Sequence, residues 1–331
     1  MRRLPDLRAA SVRLNRTWFG RLALLCPLYA TASCLVSFEG YELDGADAAF
    51  GGDAGSAGAS GEAGSFGGGG TAGKGGSGGK GGSGGTGGSA TCPVGLPGPG
   101  LLEIPKSGGG FYCIDRSEVT NAQYKAFLDA PKTGLVVPAA CAGNASYAPA
   151  TSSKCLSTHF EPVNEATYPV TCVDWCDATA YCRWAGKRLC GSIAGGDVAL
   201  ADFANPTRSQ WHNACSRAGQ RQFPYGNTYQ RGYCNGLDYM VARGIPVVSA
   251  ALCQGGYDGL YDMSGNVREW EDGCDGSGNC LQRGGGYLDY DSDFPTLRCH
   301  SGSDAATNPT PPTAARFETS SQRGFRCCLD P

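Results

Sequence analysis

Eighteen cysteines in 331 residues, beside only three histidines, restrict what this chain can fold into more than any other feature. Thiols at that density do not stay free in a reducing compartment unless they bind metal, and the sequence lacks the paired Cys-x-x-Cys knuckles and histidines that hold zinc. The chain therefore reads as exported, oxidised and stapled by disulfides. Staples suit a chain with 53 glycines and 19 prolines, because crosslinks limit the unfolded ensemble that a loop-rich fold must outcompete. The 27 basic residues are offset by 30 acidic ones, which excludes a nucleic-acid binder relying on surplus Lys and Arg to displace counterions. His159, His212 and His300 are too few for a His-rich metal centre.

The amino end fits export. Arg2, Arg3, Arg8, Arg13, Arg16 and Arg21 precede an apolar stretch from Leu22 to Ala30 that is too short to span a bilayer, so residues 1–33 read as a signal peptide. Thr31-Ala-Ser-Cys34 resembles the lipobox of bacterial lipoproteins, which makes Cys34 the expected lipidation site; Thr31 departs from the usual Leu. The other reading is an ordinary signal cleaved nearby, with Cys34 as a disulfide partner. Removing Cys26 with the signal and using Cys34 as the anchor leaves sixteen cysteines, an even number. Residues 34–91 then form a lipid-anchored Gly/Ser-rich linker: 21 of the 40 residues from Gly51 to Ala90 are Gly, with a near-repeat at 73–79 and 79–85. Such a tether buries no core and has a root-mean-square span of roughly 40 Å. No flanking strand or helix is evident to turn it into a phosphate-cradling loop. Residues 92–331 are long enough for one substantial domain.

Three short helices are legible there. Thr120-Asn-Ala-Gln123 has capping-box spacing, and Ala122, Tyr124, Phe127 and Leu128 form a stripe ending near Ala130-Pro131. Asp174 caps a second helix over Trp175 to Ala185, with Trp175, Ala178, Cys182 and Ala185 inward and Gly186 as the stop. Thr207-Arg-Ser-Gln210 opens a third, with Trp211, Ala214, Cys215 and Ala218 inward; His212 is expected to face solvent. Strand candidates are Phe111 to Ile114, Gln282 to Leu288 and Gly324 to Cys327.

Several separated segments carry a resemblance. Phe111 to Tyr124, with Glu118-Val-Thr-Asn121, is followed by Pro169 to Trp175 and Ala180 to Leu189. Phe223-Pro-Tyr-Gly-Asn227, Gly259 to Trp270, Arg283-Gly-Gly-Gly-Tyr287 and Gly324-Phe-Arg-Cys327 then follow in order. This series resembles the sulfatase-modifying-factor family, which includes formylglycine-generating enzyme, over nearly all of residues 100 to 328. The resemblance implies a loop-rich α+β fold, a disulfide-rich variant of the C-type lectin fold, with structural calcium.

Residue by residue, the resemblance puts calcium on the Asp262 side chain, the Gly265 and Val267 carbonyls and the Glu269 carboxylate, hard oxygens that suit the ion. Read alone, Asp262 is a turn acceptor and Glu269 a surface charge. Asn235 matches the start of a second family calcium site whose acidic partner has no evident counterpart. The family pattern also implies the disulfides Cys182 with Cys327 and Cys215 with Cys299. Proximity suggests Cys141 with Cys155, Cys234 with Cys253 and Cys274 with Cys280 as local closures, although spacing does not determine pairing.

The catalytic positions depart from the family. Its oxidase holds copper(I) on two cysteines just after a Gly-Gly-Ser-Tyr motif and converts a substrate Cys to formylglycine. Here those positions are Asp289 and, within a residue, Phe294; the motif's Ser is Gly286, and the Trp before Glu-Trp is Arg268. The expected pocket is therefore remodelled around Arg268, Gly286, Asp289 and Arg298, and copper is not expected in it. Asp289, Asp291 and Asp293 read as a solvated acidic loop, since Phe294 occupies the place where an EF-hand needs Gly. Ser264 lacks the frame of a hydrolase nucleophile. Two readings remain. One is a calcium-stabilised binding module in the bacterial cell envelope, periplasmic or at the cell surface, touching the membrane through its anchor and presenting the pocket to a peptide, glycan or envelope partner. The other is an oxidoreductase of the formylglycine-generating type acting on exported proteins; metal analysis separates them.

Overall fold

The computed structural model describes residues 91–155, 160–290, 295–301 and 310–330. The signal peptide, Cys34, nearly all of the linker, Asp291, Asp293 and Phe294 lie outside the described residues.

In chain order the main elements are β1 (Leu101–Pro105), β2 (Phe111–Asp115), α1 (Asn121–Asp129), α2 (Trp175–Trp184), β3 (Arg188–Leu189) and α3 (Gln210–Ser216). They continue with β4 (Arg268–Cys274), β5 (Asn279–Arg283), β6 (Thr313–Ala315), β7 (Arg323–Phe325) and β8 (Cys327–Leu329). Two four-stranded sheets result, in the orders β1-β2-β8-β3 and β6-β5-β4-β7. The first is antiparallel, whereas β4 and β7 pair in parallel. Only Arg326 separates β7 from β8, so this one residue carries the chain from sheet to sheet. The fold is α+β with few helices and long connections, and among the described residues no helix is long and apolar enough to cross a membrane.

Side-chain capping fixes the helix starts. In α1, Thr120 Oγ1 accepts from the Gln123 N–H while Gln123 Oε1 accepts from the Thr120 N–H, which satisfies two donors that a helix start leaves open. Asp174 and Asp177 do the same for α2, and Gly186 follows in the left-handed region at φ 72°. The third helix begins later than its sequence suggests. Thr207 donates instead to Asn205 Oδ1 at 2.8 Å, and Ser209 is the N-cap, accepting from the His212 N–H at 3.0 Å. The strand expected to run to Leu288 ends at Arg283, because Gly284 and Gly285 turn the chain at φ 84° and 69°.

The helix stripes meet the sheets in two cores. Tyr124, Phe127, Tyr181 and Phe325 form one aromatic cluster with ring centroids 5.2 to 6.2 Å apart, burying α1 and α2 against β7. Ile104, Tyr112 and Ile114 of the first sheet meet Trp211 and Cys215 of α3 in the other.

Eight disulfides pair all sixteen cysteines from Cys92 onward. Cys182 joins Cys327, Cys215 joins Cys299, Cys234 joins Cys253 and Cys274 joins Cys280. The local closure expected between Cys141 and Cys155 is not formed. Cys141 joins Cys176 in the first turn of α2, while Cys155 joins Cys172, where the Cys172 carbonyl also accepts from the Ala150 N–H. The connection after α1 is thus clipped once to the first turn of α2 and once to the segment just before it, instead of closing on itself.

Candidate functional site

Strand β4 organises the site through its period of two. Glu269 and Glu271 point to one face and Arg268 and Trp270 to the other. On the first face Arg326 grips Glu269 with two hydrogen bonds of 2.6 Å, and Trp211 Nε1 donates to Glu269 Oε2 at 2.8 Å. Arg326 also donates to the carbonyls of Asp115 and Tyr261, so its guanidinium ties together the two sheets that its backbone connects. Next to it, Glu271 accepts from Ser209 Oγ at 2.8 Å and pairs with buried Arg283 at 3.3 Å; burial nevertheless pushes its carboxyl up to about 7.

Residues 262–267 form a tight turn before β4, with Asp262, Gly265 and Asn266 in the left-handed region at φ 59°, 72° and 57°. Asn266 holds the turn in place: its Oδ1 accepts from Asn235 Nδ2 and the Ile245 N–H, and its Nδ2 donates to Glu118 Oε2. Three carboxylates are buried here, Glu118, Asp262 and Glu269, with Arg326 as the cation that acts on all three. Burial, followed by the charges of Asp262 and Glu269, pushes the Glu118 carboxyl well above its usual range. Burial likewise lifts Asp262 to about 6, against the Val248 N–H donated to its Oδ2 at 2.7 Å.

One guanidinium facing three carboxylates leaves a negative excess that suits a divalent cation. Glu269 has accepted three donors out of about four lone-pair positions, so it can still offer one oxygen lone pair. Among the described residues no three Asp, Glu, His or Cys side chains gather closely enough to hold a metal alone, so a calcium ion would also need the Gly265 and Val267 carbonyls of the turn. At Asn235, Nδ2 donates to the Arg243 carbonyl while Oδ1 is buried without a partner, and Asp238 Oδ1 nearby in sequence is likewise buried and unpartnered. Each of these oxygens is open to a water or an ion.

On the opposite face of β4, Arg268 and Asp289 form an ion pair, Nη2 to Oδ1, at 2.5 Å. Asp289 Oδ2 accepts from the Gly286 N–H at 2.6 Å, which closes a tight turn. Gln322 lies over the same turn, its Oε1 accepting from the Leu288 N–H and its carbonyl from the Arg268 N–H. A Cβ at Gly286 would stand 3.1 Å from Gln322 Oε1, so the missing Ser and the position of Gln322 are coupled. Arg298 places its guanidinium 5.9 Å over the Phe223 ring. The structure therefore joins Arg268, Gly286 and Asp289 in one constellation, and Asp262, Gly265, Val267 and Glu269 in a second.

His212 is buried, contrary to the expectation from its helix position. All of α3 is buried, so the face expected to be solvated is covered too, and the imidazole Nδ1 meets the Cys299 carbonyl at 3.0 Å. Glu118, Arg326, Gln322 and Asp238 had no role assigned from sequence. Glu118 and Arg326 stand inside quoted motifs, but their roles depend on long-range meeting that spacing does not reveal.

Residues 109–331 match the family described as "Sulfatase-modifying factor enzyme 1-like domain". The chain is similar to the formylglycine-generating enzyme of Mus musculus, 28% identical over 278 residues, covering 67% of this chain and 66% of that protein. Similarity to the formylglycine-generating enzyme of Streptomyces coelicolor is 30% over 267 residues, 66% of this chain and 77% of that protein. The inactive C-alpha-formylglycine-generating enzyme 2 of Bos taurus is 34% identical over 113 residues, 31% of this chain and 32% of that protein.

Proposed function

From the premise that this chain belongs to the sulfatase-modifying factor family, we propose that it is an exported, lipid-anchored binding module of that family, stabilised by calcium and without the copper-dependent oxidase reaction. The observation that carries the reading is the Arg268–Asp289 ion pair. It stands where the resemblance puts a copper-binding Cys. A hard carboxylate engaged by a guanidinium does not offer copper(I) the soft donor it requires, and every cysteine from Cys92 onward is committed to a disulfide. A relative named as inactive is consistent with the fold being kept without that activity.

Calcium would be held by Asp262 and Glu269 with the Gly265 and Val267 carbonyls, and Asn235 would start a second site. When bound it supplies positive charge. Glu118, Asp262 and Glu269 set the negative field, Arg326 orients Glu269, and Asn266 fixes the turn. The anchor at Cys34 and the Gly-rich tether would place the domain away from the bilayer, which agrees with its eight disulfides and an oxidising compartment.

The decisive experiment incubates the purified protein with a sulfatase-type Cys peptide, with and without copper, and reads formylglycine by mass spectrometry. The expected product is none above the no-enzyme control. Formation of formylglycine by the unmodified chain would overturn the module and favour an oxidoreductase acting on exported proteins. In parallel, calcium should raise Tm, because a ligand bound only by the native state stabilises it by mass action. Glu269→Gln should lower Tm and remove most of the shift; an identical calcium response in the variant would rule out this site.

A further inference from the structure

Two arginines share one side of the sheet beside β4, Arg268 paired with Asp289 and Arg323 acted on by Glu318. Arg268 and Arg323 are partners in the parallel pairing of β4 and β7, so both side chains leave the sheet on the same side. Arg323 is buried over Trp270, 4.5 Å from the ring centre, with Nε donating to Gln282 Oε1 and Nη1 to the Glu318 carbonyl. Burial pulls it down to about 10; Glu318 opposes this and the neighbouring Arg268 adds to it. Asp289 compensates Arg268 alone. A guanidinium has five N–H donors, and among the described residues Arg268 donates side-chain hydrogen bonds to no acceptor except Asp289. Its side chain is 26% exposed, so the remaining donors can meet a solute. The Tyr287 hydroxyl, bonded to Ser321 Oγ at 3.3 Å, adds a neutral polar pair near the same turn.

The rim differs in chemistry. Leu288 and Tyr290 flank Asp289 and are exposed, and Leu237, also exposed, is brought beside them by its own N–H, which donates to the Asp289 carbonyl at 2.8 Å. An inorganic anion would use the arginine and ignore the apolar rim. A peptide carrying a carboxylate would use both.

Resting on the reading of this chain as a binding module, we propose that the pocket binds a peptide carboxylate. Arg268 is the anchoring cation, Arg323 supports it through its field, and Leu288, Tyr290 and Leu237 form a bed for the adjoining apolar side chains. Asp289 acts as the internal competitor that holds Arg268 in place until the ligand arrives and displaces it from the guanidinium.

The test uses the full chain at low ionic strength and fluorescein-labelled peptides read by anisotropy. Three probes suffice: Ala-Leu-Phe-Leu with a free carboxyl terminus, its carboxyl-terminal amide, and Ala-Leu-Glu-Leu amide. A charge-assisted contact predicts that a carboxylate probe binds about tenfold or more tighter than the plain amide. Preference for the free terminus identifies a chain end as the ligand, and preference for the Glu peptide identifies an acidic side chain. Arg268→Gln should erase the preference, while Asp289→Asn, by removing the competitor, should tighten carboxylate binding about tenfold. Equal binding of all three probes, no binding by any, or a preference that survives Arg268→Gln overturns the proposal. If Arg268→Gln fails to fold, Asp289→Asn decides, since unchanged or weaker carboxylate binding is then the overturning result. Formylglycine formation is scored separately, so failure of the ligand assignment and failure of the module reading are distinguishable.

Discussion

At position 212 an imidazole is enclosed between the Cys299 carbonyl and the Arg283 guanidinium, which itself donates to the same carbonyl at 2.6 Å. Nδ1–H donates to the carbonyl, so Arg283, 3.5 Å from Nδ1, acts on the ring as a neighbouring positive charge. Burial first, and then Arg283, depress the ring to about 3. The folded state therefore refuses a proton that the unfolded chain accepts below its ordinary value of about 6.5. The stability linked to His212 is present above that value and is lost as pH falls toward 3, at up to about 1.4 kcal/mol per pH unit. His212→Gln keeps a donor for Cys299 and does not titrate. Urea unfolding at pH 7 and pH 4 should show the wild type losing about 3 kcal/mol more than the variant. The buried carboxylates Asp177 and Glu271, both raised to about 7, act in the opposite direction but are common to both proteins and cancel in the comparison. Equal losses in the two proteins would show that the ring is not held neutral. The burial of His212 was not legible in sequence because the stripe of Trp211, Ala214 and Cys215 does face inward as read, yet every other residue of α3 is buried as well, and the segment that covers the His212 side comes from distant Cys299 and Arg283.

At the level of elements, legibility follows locality. Capping boxes place α1 and α2 because donor and acceptor are three residues apart, so the sequence contains both partners. β2 and β7 are visible as short runs, but β8 is not, because the single strand read from Gly324 to Cys327 is divided at Arg326 between two sheets. β7 seats against the segment before α2 and the turn before β4 through Gly324, where a Cβ would stand 2.5 Å from the Val170 carbonyl oxygen and 3.1 Å from Val267 Cγ2. Only Gly lets that backbone approach. Gly324→Ala should therefore force β7 away from the Val170 carbonyl, at a cost of roughly 1–3 kcal/mol, the range for overpacking a tight core. Its calcium response should also fall, because Arg326, two residues on, would no longer be held against Glu269. A thermal melt with and without calcium checks both effects, and an unchanged Tm would mean that β7 adjusts freely. The candidate site divides on the same line. The turn before β4 and the substitutions at positions 268, 286 and 289 stand in one short stretch of sequence and can be read there. The Arg268–Asp289 contact, the meeting of Glu118 with Asp262, and the orphaned oxygens of Asn235 and Asp238 require chain segments to be folded together.

For the whole molecule, the neighbouring residues Cys327 and Cys328 matter most, since they leave β8 in opposite directions to Cys182 at the end of α2 and Cys190 just after β3. Both bridges close long loops, with sequence separations of 145 and 138 residues. They interlock, however. With one intact, restoring the other closes only the short path from Cys182 to Cys190 and across the adjacent pair, a loop of about ten residues in the chain-entropy sense. Removing either bridge alone should therefore cost about 3 kcal/mol rather than the roughly 5 kcal/mol expected for an isolated loop of that length. Removing both should cost about 8 kcal/mol, some 2 kcal/mol more than the two single losses together. Replacing each pair by serines, singly and together, and measuring urea unfolding of all four proteins completes the cycle. Additive losses would mean that the two bridges stabilise separate regions rather than one shared closure. If the double variant alone fails to accumulate folded, the shared closure is what holds β8 between the sheets. Arg326 then loses its fixed approach to Glu269, and the calcium turn and the Arg268 pocket on the two faces of β4 should fail together.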